Sequence, residues 1–450
     1  MPFDPAYASI FPRTARVRHG RLSVGGCDLQ ELTRAFGSPL YVFDETEVRE
    51  TCRAYVRAFT ERHADSEITY ASKAYLSRWI ASVMREEGIS LDVVSGGELA
   101  IALSAGFPAS RCHFHGNNKG EQELREAVEA GIGRIIVDNF FELETLDRIA
   151  RSLGVAQRII LRLSPGVDAH THAKTTTGTL DNKFGLPIST GHAEQAVAEA
   201  ARMGNVELAG YHCHLGSPLF DVSPYDEANA VMLRFAAEMR QRHGVELREY
   251  SPGGGFAAQY VREKPAPPVE VYAEAIVSSF KRRCEEHGLP LPHLFVEPGR
   301  SLVARAGVAL YTAGSSKSVE GVRTWISVDG GMADNIRPAL YGARYEAVVA
   351  NRADEEPSET VTIAGKYCES GDILVEDVAL PPVRPGDVIA LPASGAYNLT
   401  MASNYNASPR PAVVVVKDGN ATLIRRRETY DDLLATDVYE PAPDAAELKR

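Results

Sequence analysis

The feature that most constrains the fold is a regular alternation of short apolar runs and amphipathic stretches between about residues 68 and 305. Eight runs have the length and composition of buried strands: Ile68–Ala71, Leu91–Val94, His113–His115, Arg134–Val137, Ile159–Leu163, Leu208–His214, Glu249–Ser251 and His293–Val296. The stretches between them show helical spacing. Leu76, Ile80 and Met84, for example, recur at every fourth position, and Gly88 follows as a stop. Eight such units predict an α/β protein built on a (β/α)8 barrel of the TIM type, whose functional residues lie at the carboxyl ends of the strands.

The segments on either side of this alternation have a different pattern. After Val308, β-branched runs recur without helical spacing, at Thr324–Val328, Val361–Ala364, Asp387–Leu391, Ala412–Lys417 and Ala421–Arg426. Turn signals such as Asp418-Gly419 separate them. The sequence therefore predicts a barrel domain over residues 42–307 and a C-terminal, mostly antiparallel β-domain over residues 308–450, which the amino-terminal segment 1–41 joins.

Composition and charge narrow the classes of function. The 450 residues carry a formal net charge of −12, and no basic run is long enough to follow a nucleic-acid backbone. No stretch approaches the ~20 apolar residues of a membrane span, and Met1–Ile10 has no signal-peptide pattern. The six cysteines show neither metal-binding nor disulfide spacing. We therefore expect a cytoplasmic protein with reduced thiols, no metal, and neither a nucleic-acid nor a membrane partner.

Polar residues and glycines follow the predicted strands at their carboxyl ends. In chain order they are Lys73; Asp92 and Ser95; His115 and Asn117; Asp138 and Asn139; Arg162; His212 and His214; Gly253, Gly254 and Gly255; and Glu297 and Arg300. Any one of them alone is more often a helix cap or a loop residue. Because the strand ends of a barrel converge on one rim, the set as a whole favours a single binding site.

These residue types match the chemical groups of pyridoxal 5′-phosphate. The glycines 253–255 let backbone N–H groups approach a phosphate that side chains would obstruct. The His214 imidazole is suited to stacking on a flat ring, and the Ser217 hydroxyl to reaching a phosphate oxygen. A carboxylate at Glu297 would keep a pyridine nitrogen protonated, which makes the ring a better electron acceptor. Lys73 supplies an amine for a Schiff base with the aldehyde, and we expect that amine to be buried.

A second set of polar residues lies in the predicted β-domain. Arg337 has the planar guanidinium that binds a carboxylate through two parallel hydrogen bonds. Cys368 stands beside Glu369 in a glycine-flanked turn, which suits an exposed acid catalyst better than an inert buried thiol. The sequence therefore places a carboxylate-binding group and a proton donor in this domain.

The motifs resemble those of the fold-type III pyridoxal-phosphate decarboxylases over about residues 15 to 440. The segments that carry the resemblance are Tyr70-Ala-Ser-Lys-Ala74, Leu91-Asp-Val-Val-Ser-Gly-Gly-Glu-Leu99, His115-Gly-Asn-Asn-Lys119, Lys183-Phe-Gly185, His212-Cys-His-Leu-Gly-Ser217, Gly253-Gly-Gly255, Glu297-Pro-Gly-Arg300, Cys368-Glu-Ser370 and Gly395-Ala-Tyr397. Two departures are Pro218, where the family usually has glutamine, and Ser251-Pro252, where an acidic and an apolar residue are common. We expect both to leave cofactor binding intact.

The resemblance implies a role for each matching residue. Lys73 resembles the Schiff-base lysine, and Cys368 resembles the acid that protonates the carbon that has lost carbon dioxide. The positions that match cofactor contacts are Lys73, Asp92, His214, Ser217, Gly253, Gly254, Gly255, Glu297, Arg300 and Tyr397. Those that match substrate contacts are Arg300, Arg337, Tyr341, Glu369 and Tyr397. In the family, the counterparts of Cys368 and Glu369 reach the barrel of the neighbouring subunit, so the resemblance also implies a homodimer with shared sites.

The resemblance and the charges together favour one substrate. Arg300 and Arg337 fit a distal carboxylate and Glu369 a distal amine, whereas ornithine needs only an acid at that end. We therefore expect decarboxylation of meso-2,6-diaminopimelate to L-lysine, the last step of lysine biosynthesis. The alternative is a related decarboxylase with a glutamyl, carboxynorspermidine or ornithine-type substrate. Glu297 speaks against a racemase, and the presence of Lys73 and Cys368 speaks against a catalytically silent cofactor-binding homologue.

Overall fold

The structure is a computed structural model that describes residues 5–168 and 181–439. The segment Thr175–Asp181, whose threonine and glycine content would permit closure over a substrate, lies outside the described residues except for Asp181. The outermost residues of the predicted β-domain, 1–4 and 440–450, lie outside them as well. Among the described helices, none combines the length and the apolar composition that a membrane crossing requires.

Strands and helices alternate through the middle of the chain, whereas strands predominate in the carboxyl-terminal part. The strands are β1 (Arg16–Arg18), β2 (Arg21–Val24), β3 (Cys27–Asp28), β4 (Leu40–Asp44), β5 (Ser66–Ala71), β6 (Ser90–Val93), β7 (Cys112–Phe114), β8 (Arg134–Val137), β9 (Gln157–Ser164), β10 (Leu186–Pro187), β11 (Val206–His212), β12 (Glu249–Ser251), β13 (His293–Val296), β14 (Gly307–Val319), β15 (Arg323–Val328), β16 (Val348–Val349), β17 (Glu359–Ala364), β18 (Ile373–Leu380), β19 (Val388–Leu391), β20 (Ala412–Lys417) and β21 (Asn420–Arg425). The helices are α1 (Pro5–Ala8), α2 (Leu29–Phe36), α3 (Glu45–Thr60), α4 (Arg78–Glu86), α5 (Gly96–Ser104), α6 (Glu121–Glu129), α7 (Phe140–Leu153), α8 (His192–Ala200), α9 (Ser223–His243), α10 (Val269–Glu286), α11 (Arg300–Val303), α12 (Arg337–Tyr341) and α13 (Tyr430–Leu434).

Eight parallel strands close into a barrel in the middle of the chain. Their order is β5-β6-β7-β8-β9-β11-β12-β13, and β13 pairs with β5 to complete the ring. Each of the eight predicted apolar runs overlaps one of these strands, so the (β/α)8 barrel is confirmed. The strands β7 and β11 end before His115 and His214, which the sequence pattern had included in them. Both imidazoles therefore belong to the loops of the carboxyl-terminal rim.

The helices around the barrel begin and end where short-range chemistry dictates. In α4 the residues Ile80, Val83 and Met84 are buried, as the helical spacing predicts. Ser95 and Asn139, which also follow barrel strands, are N-caps: their side chains accept the N–H groups of residues 98 and 142 at 3.2 and 2.9 Å. These two strand-end residues therefore build helix starts.

The second sheet is mostly antiparallel and takes strands from both ends of the chain. The long strand β14 pairs antiparallel with β4, β15 and β19. The amino-terminal strand β4 also pairs with β20, in one of two parallel pairings. This arrangement confirms the predicted β-domain that the amino-terminal segment joins.

The two faces of this sheet pack against different layers, because side chains alternate along a strand. Leu40 and Val42 in β4 pack in a separate core with Ile10 and Phe11 of the amino-terminal segment. Tyr41 and Phe43 belong to the large core that continues into the barrel. The sheet is thus held against the barrel by one face and covered by the amino-terminal segment on the other.

A loop of the second sheet reaches the barrel rim directly. The N–H of Tyr397 donates to the carbonyl of Ala74 at 2.8 Å, in the turn that carries Lys73. The N–H of Gly395 donates to the carbonyl of Ala304 at 3.0 Å, and a Cβ on Gly395 would lie only 1.9 Å from the carbonyl oxygen of Val303. The second sheet therefore forms part of the wall above the strand ends.

We expect Gly210→Ala to destabilise the barrel. Gly210 lies in β11, and an added Cβ would lie 1.7 Å from the carbonyl oxygen of Glu249 in β12, so the strands would have to separate. The free energy of unfolding should fall by about 2 kcal/mol or more. Gly204→Ala is the matched control, because no atom of the residues that the structure describes lies within 4 Å of its added Cβ. It should change that free energy by less than about 0.5 kcal/mol. Denaturant unfolding followed by circular dichroism measures both, and equal losses would contradict the expectation.

Candidate active site

A cavity of about 860 Å³ opens at the carboxyl ends of the barrel strands. Ten of the residues that the sequence assigns to the site line it: Lys73, Asp92, His214, Ser217, Gly255, Glu297, Arg300, Arg337, Tyr341 and Tyr397. Gly253 and Gly254 lie just before Gly255 in the same loop. The last three lining residues come from the second sheet and its connections, so both parts of the protein build the cavity. A volume of this size is typical of small-molecule sites.

Lys73 lies where a barrel strand opens into the cavity. It occupies the short turn Ser72–Ala74 directly after β5. Ser72 and Ala74 are buried, but the side chain of Lys73 is exposed, so the expectation that it is buried is wrong. The sequence could not show this, because the turn is packed by its neighbours while the amine extends into space that a ligand would fill.

Glu297 is a buried carboxylate beside two imidazoles. It follows β13 and is 6 % exposed. The Nε2–H of His212 donates to its Oε2 atom at 2.9 Å, and Nε2 of His115 lies 3.3 Å from Oε1. Burial opposes ionisation, but His212 and His115 hold the pKa of Glu297 well below its ordinary value. Burial lowers the pKa of both histidines. The group therefore presents one negative charge and two neutral rings to the cavity.

The three residues admit a second interpretation from their types alone. Ligand atoms of His115, His212 and Glu297 lie within 4.8 Å of one another, a spacing that a divalent metal accepts. A metal bound by these three residues would leave the glycine loop and Lys73, which line the same cavity, without a function. A pyridine nitrogen facing Glu297 accounts for all of them.

His214 presents a ring held at one edge. Its Nδ1 atom accepts the N–H of Gly254 at 3.1 Å, which fixes the ring relative to the glycine loop. Burial, together with the charges of Lys73 and Arg162, lowers the pKa of His214 well below its ordinary value. A neutral imidazole fixed in this way is suited to packing against a flat aromatic ligand.

The glycine loop after β12 admits no side chains. A Cβ on Gly254 would lie 2.1 Å from the carbonyl oxygen of Glu297, and one on Gly255 would lie 2.5 Å from that of Gly216. Gly255 also has φ near +109°, a conformation that favours glycine. Near this backbone, Nε of Arg300 donates to the hydroxyl of Ser217 at 3.4 Å. Backbone, hydroxyl and guanidinium together form a cradle for a phosphate.

Two arginines are buried in the cavity wall. Arg300 is 9 % exposed and Arg337 is 6 % exposed. Among the residues that the structure describes, neither forms an ion pair; their contacts are with Ser217, with Tyr345 and with aromatic rings. Buried cations of this kind are costly unless an anion neutralises them. The wall is therefore built to receive anionic groups.

Cys368 and Glu369 do not join the cavity of their own chain. Both are exposed, in the loop between β17 and β18. Asp372 holds this loop: its carboxylate accepts the N–H of Met332 at 2.6 Å and the N–H of Tyr367 at 2.9 Å. The thiol and the carboxylate are thus displayed on an ordered surface loop.

Some residues of the cavity carried a weak signal in the sequence or none. The sequence identifies His115, Arg162 and His212 as strand-end residues but indicates no specific role for them. Arg162 lines the cavity, with its Cζ 4.3 Å from the centre of the Phe184 ring. Tyr260 also lines it and was missed, because it lies in a long loop without periodicity. Its one signal is its place a few residues after the triple glycine.

The residues present fit pyridoxal phosphate. The cradle at Gly255, the ring of His214, the carboxylate of Glu297 and the amine of Lys73 line one cavity, and each suits a different part of that molecule. Among the described residues, the buried Oδ1 atom of Asp92 has no hydrogen-bond partner, as expected of a polar atom that faces a ligand. The cofactor inferred from sequence is therefore compatible with the cavity.

Comparisons with known proteins agree with this geometry. Residues 45–304 match the family described as pyridoxal-dependent decarboxylase, pyridoxal binding domain. The chain is 45 % identical to a diaminopimelate decarboxylase of Bacillus subtilis (strain 168) over 421 residues, which cover 94 % of this chain and 96 % of the relative. It also resembles a solved diaminopimelate decarboxylase of M. jannaschii in complex with L-lysine, at 36 % identity, with a TM-score of 0.89 over 95 % of this chain and 98 % of that one. For the Helicobacter pylori enzyme with L-lysine, the identity is 32 %, the TM-score 0.83 and the coverage 90 % and 98 %.

We expect Glu297→Gln to bind pyridoxal phosphate but to lose activity. A neutral amide cannot hold a proton on a pyridine nitrogen, so cofactor-dependent release of carbon dioxide should fall by about 100-fold or more. Glu47→Gln is the matched control, because Glu47 is also buried, at 2 % exposure, but does not line the cavity. Cofactor content by absorbance and carbon dioxide release by coupled assay decide the matter. Unchanged activity in Glu297→Gln would refute this role.

Proposed function

The chain belongs to the pyridoxal-dependent decarboxylase family, and we propose that it converts meso-2,6-diaminopimelate to L-lysine with pyridoxal 5′-phosphate as cofactor. The observation that carries the choice of substrate is Arg337, which is buried in the cavity wall beside Arg300 and has no ion-pair partner among the described residues. A substrate that keeps a carboxylate far from the reacting carbon supplies the missing anion. The near-full-length similarity to diaminopimelate decarboxylases supports the same choice.

The cofactor, when bound, withdraws the electrons that the departing carboxylate leaves behind. Lys73 binds its aldehyde from the end of β5. Glu297 stays ionised beside the neutral His212 and holds a proton on the ring nitrogen. His214 packs on the ring face, and the glycine loop with Ser217 holds the phosphate.

The far end of the substrate meets the second sheet. Arg337 and Tyr341, from α12, lie on the wall with Arg300, and together they bind the distal carboxylate. A ligand without that carboxylate leaves a buried guanidinium unpaired, at a cost on the order of 2–5 kcal/mol. This cost selects diaminopimelate over ornithine.

The remaining roles belong to a second copy of the chain. Cys368 and Glu369 are exposed on an ordered loop, away from the cavity of their own chain. In a homodimer with shared sites, the thiol of Cys368 delivers a proton to the carbon that has lost carbon dioxide, and Glu369 binds the distal amine. The exposure of both side chains on a fixed loop supports this arrangement.

Six unpaired cysteines support a cytoplasmic location.

The proposed domain limits, after residue 41 and after residue 307, fall within β4 and at the start of β14. These two strands pair with each other in the second sheet and connect it to the barrel.

Product identification tests the substrate. The holoenzyme is incubated separately with meso-2,6-diaminopimelate, ornithine, arginine and lysine, and the products are identified by mass spectrometry. We expect L-lysine from diaminopimelate, with kcat/KM about 100-fold or more above that for any other member of the panel. Turnover of ornithine or arginine with diaminopimelate untouched would reject the proposal.

Complementation tests the shared site. Lys73→Ala and Cys368→Ala should each be inactive as homodimers. After subunit exchange in an equal mixture, half of the dimers are mixed and each has one intact site, so about one quarter of wild-type activity should return. If each site lies within one chain, mixing restores nothing.

A further inference from the structure

The two arginines of the cavity wall are held by aromatic side chains. The Cζ atom of Arg337 lies 4.3 Å from the centre of the Tyr260 ring. Nη1 of Arg300 donates to the Tyr260 hydroxyl at 3.1 Å, and its Cζ lies 4.7 Å from the centre of the Tyr397 ring. Tyr260 thus holds Arg337 with the face of its ring and Arg300 with its hydroxyl oxygen.

Tyr345 and Asn398 complete this support. Arg337 donates to the hydroxyl of Tyr345, which in turn donates to the side-chain oxygen of Asn398 at 3.2 Å. The rings of Tyr260 and Tyr345 meet edge to face, with centres 5.5 Å apart at 83°. Arg337 is therefore enclosed by two rings whose own positions are fixed.

An aromatic cradle has a different effect from an acidic one. A carboxylate would bind the guanidinium fork and compete with an incoming anion, whereas a ring face attracts the cation and leaves its N–H groups available. Burial lowers the pKa of Arg337, but Tyr260 and Tyr345 raise it, and the net direction is upward. Burial raises the pKa of Tyr260, whereas Arg337 and Arg300 lower it, and the net direction is downward. Tyr260 therefore favours the charged form of Arg337.

We propose that Tyr260 is a positioning residue that sets the preference for ligands with a distal carboxylate, because it holds Arg300 and Arg337 on one wall without neutralising either. The inference deepens the proposed function, on which the choice of ligands rests. Tyr260 acts through the two arginines, and its removal affects recognition of the carboxylate more than attachment of the cofactor.

The test compares two ligands that differ only in that carboxylate. L-lysine carries it and cadaverine lacks it, and isothermal titration calorimetry of the holoenzyme gives both dissociation constants. We expect the wild-type protein to bind L-lysine about 10-fold or more tightly than cadaverine. Tyr260→Leu, which removes both ring and hydroxyl, should reduce this ratio to about 3-fold or less. Tyr260→Phe keeps the ring face and should give an intermediate ratio.

Tyr211→Phe is the matched control. The Tyr211 hydroxyl is buried, has no hydrogen-bond partner in the described part of the chain and does not line the cavity, so the ratio should stay at the wild-type value. Cofactor content and thermal melting establish that each variant is loaded and folded. If Tyr260→Leu fails to fold, the lowered ratio in Tyr260→Phe decides.

Three outcomes would overturn the inference: a wild-type protein without preference for L-lysine, an unchanged ratio in both Tyr260 variants, or a loss of cofactor binding with the ratio unchanged. The proposed function can fail separately. If diaminopimelate is not turned over but the preference for L-lysine depends on Tyr260, the substrate is wrong and the role of Tyr260 stands.

Discussion

Closure of the parallel sheet is the constraint on which the whole site depends. The pairing of β13 with β5 brings the first and last strands of the barrel together. Lys73 follows one of these strands and Glu297 follows the other, so residues far apart in the chain line one cavity. Because the strands run parallel, every loop at their carboxyl ends contributes to the same rim, and the glycine loop and His214 meet there for the same reason.

The second sheet completes what the barrel leaves open. It contributes the loop whose Tyr397 N–H is bonded to Ala74, beside Lys73, and the short helix that carries Arg337. A barrel rim with a lysine and a phosphate cradle would serve many reactions of amino acids. Arg337 adds a buried guanidinium to that rim, so the barrel and the second sheet build the cavity wall together.

The sequence predicts the architecture well because period and burial are local properties. Apolar runs located all eight barrel strands, and the residue types at their ends predicted nine of the residues that line the cavity. The orientation of individual side chains is harder to predict from the sequence. Whether His212 faces Glu297 depends on where β11 ends, and whether Lys73 is buried depends on ligand space that no local pattern records. Tyr260 acts through contacts with residues distant in the chain, so its position had to be seen in three dimensions.

The loop that displays Cys368 is held in one conformation by its own chain. Asp372 accepts two backbone N–H groups across its base, so the chain there is fixed while its tip remains exposed. An unrestrained loop of that kind would lose conformational entropy on meeting any partner surface, and that loss would weaken association. Here the ordering takes place when the chain folds, and little freedom remains to be lost at the encounter.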